Sequence, residues 1–488
     1  MRTLAIIALL QSLSISLWSQ DNECPNISIV HEARFETERV ISSRYFQVLN
    51  AKRDGLATFS TSGEKKKGKE IWVFTRFNND LDSLGSEEVM LSPGTAVLGY
   101  EYFQENYYLL LQPQEFNYSK LELLLLEGDG GYQKKGISTL FKSSIENFTF
   151  LDGKVALLGK KNGKDNLFIK GIDDQRTLTL TNLGPPDIEI LDIKSSTDKA
   201  FLSVLVKYKD NRREKSHFIK TYTADGLLVS DFRIELDNDL RILDLVISEY
   251  ESGEQWIFGT FTNQSGDMSQ GFFAKKFFGG RQFDTQYLYF DELNNFHNWL
   301  SPKAFKKMKE KINSGGKDAH DFYYELNGLG LISNESGEKW LSINASFPNQ
   351  FRKDDNGARK PAIHNILLVF DGTGTLSSDY IFKLKDNTSP RWQRISESGK
   401  ESILTSFQVK SDKITYKIHN QQSGQCPEST SKIETKKPGE RQDTPGVFDG
   451  LISPWYDNTA YVYGASEVVD GATNNIRKIY YVQKIVFK

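Results

Sequence analysis

A seven-residue turn-and-strand pattern occurs twice, and it constrains the fold more than any other feature of the chain. Glu251-Ser252-Gly253-Glu254-Gln255-Trp256-Ile257 recurs as Glu335-Ser336-Gly337-Glu338-Lys339-Trp340-Leu341. A weaker copy is Glu397-Ser398-Gly399 followed by Glu401-Ser402-Ile403. A second repeat has the form of a hairpin. Gly226-Leu227-Leu228-Val229-Ser230-Asp231-Phe232 matches Gly374-Thr375-Leu376-Ser377-Ser378-Asp379-Tyr380 at Gly, Leu, Ser, Asp and an aromatic. Repeats of this kind mark an array whose units bury their apolar faces against their neighbours.

Between the repeats the chain reads as short apolar or alternating strands, at 70–74, 107–111, 121–127, 200–208 and 479–487 among others. Turn clusters separate them every 8–12 residues or so, as in an all-β sandwich, barrel or propeller. Helical periodicity is nearly absent. The repeats divide the chain into four-strand units at 42–92, 95–140, 144–183, 187–236, 239–293, 323–388, 389–440 and 447–488. The last unit offers three strands, and residues 27–37 supply a spare one. Donating that strand to the last unit closes a ring and removes exposed edges. The expected fold is therefore all-β, a single β-propeller of about eight four-stranded blades closed by an N-terminal strand, with seven blades as the alternative. One helical insertion is expected at about 300–316. Ser301 and Pro302 start it, Phe305, Met308 and Ile312 form its apolar stripe, and Gly315 and Gly316 stop it. Its other face carries Lys303, Lys306, Lys307, Lys309 and Lys311, a feature of membrane-surface helices. The three-residue stripe fits an insertion lying on the propeller better.

Residues 1–20 read as a signal peptide: Arg2 precedes an apolar run from Leu4 to Trp18, with small and polar residues at the proposed cleavage point near Ser19 or Gln20. An uncleaved anchor is the alternative. The mature domain would span 21–488 and be exported, to the periplasm or the cell exterior. In an oxidising compartment Cys24 and Cys426, the only two cysteines, are expected to form a disulfide, with two free thiols as the alternative.

Several motifs imitate chemistry. The segment Leu367 to Leu376 resembles the nucleophile loop of haloacid-dehalogenase-type and P-type ATPase phosphotransferases, with Asp371 as the attacking carboxylate. That fold needs strand–helix alternation, and the segment belongs to the hairpin repeat. Residues 63–70 nearly spell a phosphate loop, but Glu70 replaces the magnesium-binding hydroxyl and a strand follows. Ser333 to Trp340 resembles the Asp-box turn of sialidase-type propellers, departing at Glu335; the resemblance implies a structural turn with a packed tryptophan. The six histidines lack metal-ligand spacing, and Asp80/Asp82 and Asp354/Asp355 lack a full calcium loop. No catalytic residue, metal or cofactor is assigned. Arg391, Trp392, Trp455 and Tyr456 are candidates for facing a ligand, weighed against packing at blade starts.

The 61 Lys+Arg residues nearly balance the 64 Asp+Glu, which argues against nucleic acid. The chain as a whole resembles secreted β-propeller repeat proteins. With no catalytic constellation in the sequence beside the expected ring, the expected function is a monomeric, exported module that binds a protein or a glycan without catalysis. The alternative is a propeller hydrolase or lyase acting on a carbohydrate through carboxylates at the ring axis.

Overall fold

A computed structural model describes residues 27–487 except 38–42, 114–118, 129, 140–144, 175, 181, 185–187, 210–214, 238–239, 297–299, 301, 314–321, 334–336, 354–358, 384–390, 398–399, 411–412, 421–423, 426–428, 433–437, 445–450 and 458. The segment 1–20, Cys24 and Cys426 lie outside the described residues.

The described chain forms a series of antiparallel meander sheets, the architecture of a β-propeller. Four sheets follow the expected units closely. The first holds strands Phe46–Asn50, Leu56–Lys66, Lys69–Phe77 and Ser83–Leu91, and the second Ala96–Phe103, Asn106–Gln112, Lys120–Leu126 and Tyr132–Ser138. The third runs through Ile145–Leu151, Lys154–Lys161, Lys164–Gly171 and Thr177–Thr179. The fourth uses Glu189–Ser195, Phe201–Lys209, Lys215–Thr223 and Leu228–Ile234.

The four later sheets each have five described strands. The fifth contains Arg241–Ile247, Glu254–Thr262, Gly271–Phe278, Arg281–Gln282 and Gln286–Tyr289. Its loop strand Met268–Ser269 crosses to pair with Tyr324–Ser333 of the sixth sheet, which continues with Lys339–Lys353, Arg359–Phe370 and Leu376–Lys383. The seventh sheet is built on Arg391–Glu397, Lys400–Lys410 and Lys413–Asn420. In the last sheet Ile27–Thr37 pairs with Ile476–Phe487, as the spare-strand argument requires, and Ile476–Phe487 pairs with Thr459–Asp470. Glu440–Thr444, a strand that the expected units 389–440 and 447–488 leave almost wholly between them, joins this last sheet, which also takes in Leu451–Pro454.

Two compact units divide the chain. One comprises Met1–Lys66, Glu70–Val89 and Ser389–Lys488; the other comprises Lys67–Lys69 and Met90–Thr388. In the first unit, Phe46, Leu56, Phe77, Trp455 and Tyr480 share a core, with Phe46 and Tyr480 stacked at 4.6 Å. In the second, Trp256, Phe258 and Phe272 of the fifth sheet pack against Leu341, Leu368 and Phe370 of the sixth. Each such apolar side chain contributes roughly 1.5–3 kcal/mol on burial.

The repeats have a physical basis here. In the turn-and-strand repeat the indole N–H of Trp256 donates to Glu254 at 2.6 Å, and that of Trp340 donates to Glu338 at 3.1 Å. A glutamate two residues ahead thus satisfies a buried tryptophan in both copies. In the hairpin repeat both copies carry the same β-bulge. Tyr222 pairs with Leu228 and Thr221 with Ser230, skipping Val229; Phe370 pairs with Leu376 and Val369 with Ser378, skipping Ser377.

The helix spans Pro302–Asn313. Met308 is buried, Phe305 and Ile312 half-buried, and Lys303, Lys306, Lys307 and Lys309 exposed. Among the described residues no helix is long and apolar enough to cross a membrane.

Candidate functional site

Asp371 is a turn cap. Its Oδ1 accepts the backbone N–H of Thr373 and Thr375 at 2.8 and 3.0 Å and the Thr373 hydroxyl at 2.6 Å. These donors hold its carboxyl below the usual range, the hydroxyl foremost. In the sister hairpin Thr223 Oγ1 accepts the N–H of Leu227 at 3.2 Å, the same bond from a hydroxyl. A phosphotransfer nucleophile would have no such replacement. Asp371→Thr and Asp371→Asn should each stay within about 0.5 kcal/mol of wild type, and Asp371→Ala should lose about 1 kcal/mol in urea unfolding. The sign follows from the lowered carboxyl: its contribution is present above the unfolded-state pKa of aspartate and fades as pH falls through the folded value.

Trp455 is 6% exposed and belongs to the core of the first unit. Its indole N–H donates to the carbonyls of Lys52 and Gly55 at 2.7 and 3.2 Å, fixing the turn before Leu56–Lys66. Tyr456 is half-buried, and the Lys484 ammonium lies 5.6 Å from its ring centre while bonding Asp80 at 3.1 Å. Both aromatics are thereby occupied by packing. Arg391 and Trp392 stand in strand Arg391–Glu397, opposite Ser406 and Thr405; their side chains lie outside what is described. Asp80 faces Lys484 and His31, and Asp82 accepts from Asn78. Asp354 and Asp355 lie outside the described residues. No group of three or more metal-ligating side chains occurs among the described residues.

Lys199 and Ser195 imitate a base and nucleophile at 2.9 Å. The ammonium is already bonded to Glu101 at 2.5 Å, and the serine is buried and accepts from Thr149. Because Glu101, Thr149 and Ser195 come from the second, third and fourth sheets, the network is a clamp between sheets.

The site that remains was not among the sequence candidates. The first strands of the second to fifth sheets each carry a bulge, between Val97/Gly99, Ile145/Asn147, Ile190/Asp192 and Ile242/Asp244. A bulge re-aims the side chain that follows it. Asn147, Asp192 and Asp244 each fold back to accept the next backbone N–H, at 2.8, 2.8 and 2.9 Å. Asn147 also donates to Asp192 at 3.2 Å. Burial pushes the Asp192 and Asp244 carboxyls above the usual range, against the pull of those N–H groups and of Lys194 and Lys207.

Asp244 opens into a cleft of about 1060 Å³ in the second unit, walled by the fourth, fifth and sixth sheets. The bulge at Asn327/Gly330 brings the Leu329 N–H onto the Asp244 carboxylate. Arg241 reaches across one rim to the carbonyls of Gln264 and Gly266 at 2.5 and 2.9 Å. The other cations of the wall have anions beside them: Lys207 bonds Glu189 at 2.5 Å, and Arg233 meets Glu235 at 3.1 Å. The cleft can therefore offer many donors and acceptors with little net field. The sequence signal shared by these three bulges, of which only the Asp244 copy lines the cleft, is Ile-x-Asx-apolar, at Ile145-Glu146-Asn147-Phe148, Ile190-Leu191-Asp192-Ile193 and Ile242-Leu243-Asp244-Leu245.

No family model matches the chain, and no curated protein matches it. Similar solved structures include dihydro-heme d1 dehydrogenase NirN, at 11% identity and TM-score 0.41, covering 98% of this chain and 84% of that one. Prolyl oligopeptidase B from Galerina marginata aligns at 7% identity and TM-score 0.40, over 89% of this chain and 57% of that one. The chain thus spans little more than half of that peptidase. The β-propeller domain of the Trilobed protease from Pyrococcus furiosus aligns at 9% identity and TM-score 0.37, over 81% of this chain and 97% of that one. Likeness this distant says nothing of activity.

Proposed function

We propose that the chain is an exported β-propeller binding module that performs no catalysis, and that its ligand, a protein segment or a glycan, sits in the Asp244 cleft. The carrying observation is the charge pairing of the walls. Lys207 and Arg233 have carboxylates beside them, so the cleft favours a ligand rich in neutral polar groups. Peptide bonds and sugar hydroxyls are such groups. Export rests on residues 1–20 and on the two cysteines.

Peptide and glycan arrays probed with the wild-type protein and with Arg241→Ala/Asp244→Asn test the reading. A ligand bound by wild type should lose at least about tenfold in affinity, near 1.4 kcal/mol, in the double variant. Undiminished binding would place the ligand elsewhere.

The hydrolase or lyase reading has one observation in its favour, the raised Asp244 carboxyl inside a cleft. Reducing-end and unsaturated-product assays on array-positive glycans separate the two. Product formed by wild type and not by Asp244→Asn would replace binding with catalysis.

A further inference from the structure

The hairpin repeat contains its own control, and it exposes a docking surface away from the cleft. Leu227, Leu228 and Val229 are 67%, 37% and 51% exposed, the one run of three consecutive exposed large apolar residues among those described. In the sister copy the corresponding residues are Thr375, Leu376 and Ser377. Both copies make the same turn and the same bulge. At the bulge Ser377 donates its hydroxyl to Val369 O at 3.0 Å, whereas Val229 presents only a hydrocarbon surface. The fold therefore does not require apolar side chains at 227 and 229, and an exposed apolar patch without a folding role marks an interaction site.

The charges around the patch say what covers it. Thr197 Oγ1 lies 3.4 Å from Glu249, and the Phe201 and Tyr250 rings are 5.2 Å apart, so the 196–200 and 248–253 turns share one end of the second unit. The patch belongs to that end, because Ala224 N donates to Ala200 O at 2.9 Å. These turns carry the carboxylates Asp198, Asp225, Glu249 and Glu251. Their one cation, Lys199, is bonded to Glu101. Asp225 has Lys154 at 3.1 Å, and the Ser196 hydroxyl holds the Asp198 carboxyl in its charged form.

We propose that Leu227, Leu228 and Val229 dock a protein segment that is both apolar and cationic, with the carboxylates of the turns at the same end giving orientation and salt dependence. This surface stands independently of the cleft proposal.

The probe is a fluorescent 18-residue amphipathic peptide of leucine and lysine, with leucine–glutamate and lysine–serine peptides as controls. Binding is followed by anisotropy at about 50 and 200 mM salt. The variant Leu227→Thr/Val229→Ser installs the sister residues, which the fold accepts, and Glu249→Gln/Glu251→Gln removes charge. Wild type should bind the leucine–lysine peptide alone. Each variant should weaken it at least about fivefold, and salt should weaken binding to wild type more than to the charge variant. Equal affinity of wild type and Leu227→Thr/Val229→Ser would overturn the proposal, as would equal binding of the lysine–serine peptide. Self-association of wild type abolished by the same variant, or its binding to phosphatidylcholine vesicles, would assign the patch to a second copy or to lipid and would equally overturn it.

Discussion

Replacing Gly374 by alanine is expected to cost about 3 kcal/mol, with the loss read as a lower urea midpoint. Gly374 has φ +82°, a region that disfavours any side chain, and an added Cβ would lie 2.0 Å from the Trp256 ring. The tryptophan cannot yield easily. It is buried, its indole N–H is tied to Glu254, and the Lys276 ammonium sits 5.4 Å from its ring centre. The sister position provides the control. Gly226 has φ +80°, but its added Cβ would meet only Leu180 Cδ2, at 3.4 Å. Gly226→Ala should therefore show the backbone penalty alone, about 1 kcal/mol. Equal losses at the two positions would mean that contact between the fifth and sixth sheets does not depend on this close approach.

Asp379→Ala is the second large effect, again about 3 kcal/mol. Asp379 is 1% exposed and accepts the backbone N–H groups of Asn294 and Asn295 at 3.1 and 2.7 Å, while the Asn295 amide donates to its carbonyl at 2.8 Å. This bonding pins the loop that places Leu293 and Phe296 in the core shared with Phe272 and Leu341. Alanine would leave buried donors unpaired and loosen both apolar side chains. Asn would fare little better, since its NH₂ would face a backbone N–H. Burial raises the Asp379 carboxyl above the usual range against the pull of those donors. A raised carboxyl stabilises most below the unfolded-state pKa and loses its contribution as pH rises through the folded value. The cost of Asp379→Ala should thus be larger near pH 4 than near pH 7. Unchanged stability with a still-ordered loop would contradict the assignment. The sister residue Asp231 instead bonds Lys220 at 2.5 Å, so the repeat preserves the residue and changes its partner.

Much of the fold was legible because the repeats are spelled in short windows. The expected unit 187–236 is the sheet from Glu189 to Ile234, and residues 27–37 form the strand that joins the last sheet. The helix is where Pro302 and the Phe305–Met308–Ile312 stripe put it. Local pattern failed where a short strand chooses a distant partner. Met268–Ser269 leaves the fifth sheet for the sixth, and Glu440–Thr444 joins the last sheet. Neither segment has an apolar alternation that names its neighbour. The cleft was hidden for a related reason. Asp244 and the Leu329 N–H come from two sheets, and they meet at bulges, which leave a weak trace in sequence. Trp455, weighed in the sequence between facing a ligand and packing at a blade start, packs, because an indole with one polar atom can be buried whenever a carbonyl reaches it, as those of Lys52 and Gly55 do.

The central claim is that the ligand occupies the Asp244 cleft. Amide hydrogen exchange, compared with and without an array-identified ligand, tests it most directly. The account predicts added protection at Leu245 and Leu329, whose N–H groups bond the Asp244 carboxylate, and across 241–245 and 326–329, with none at 227–229. Protection absent from those segments, or confined to the 227–229 end, would contradict it.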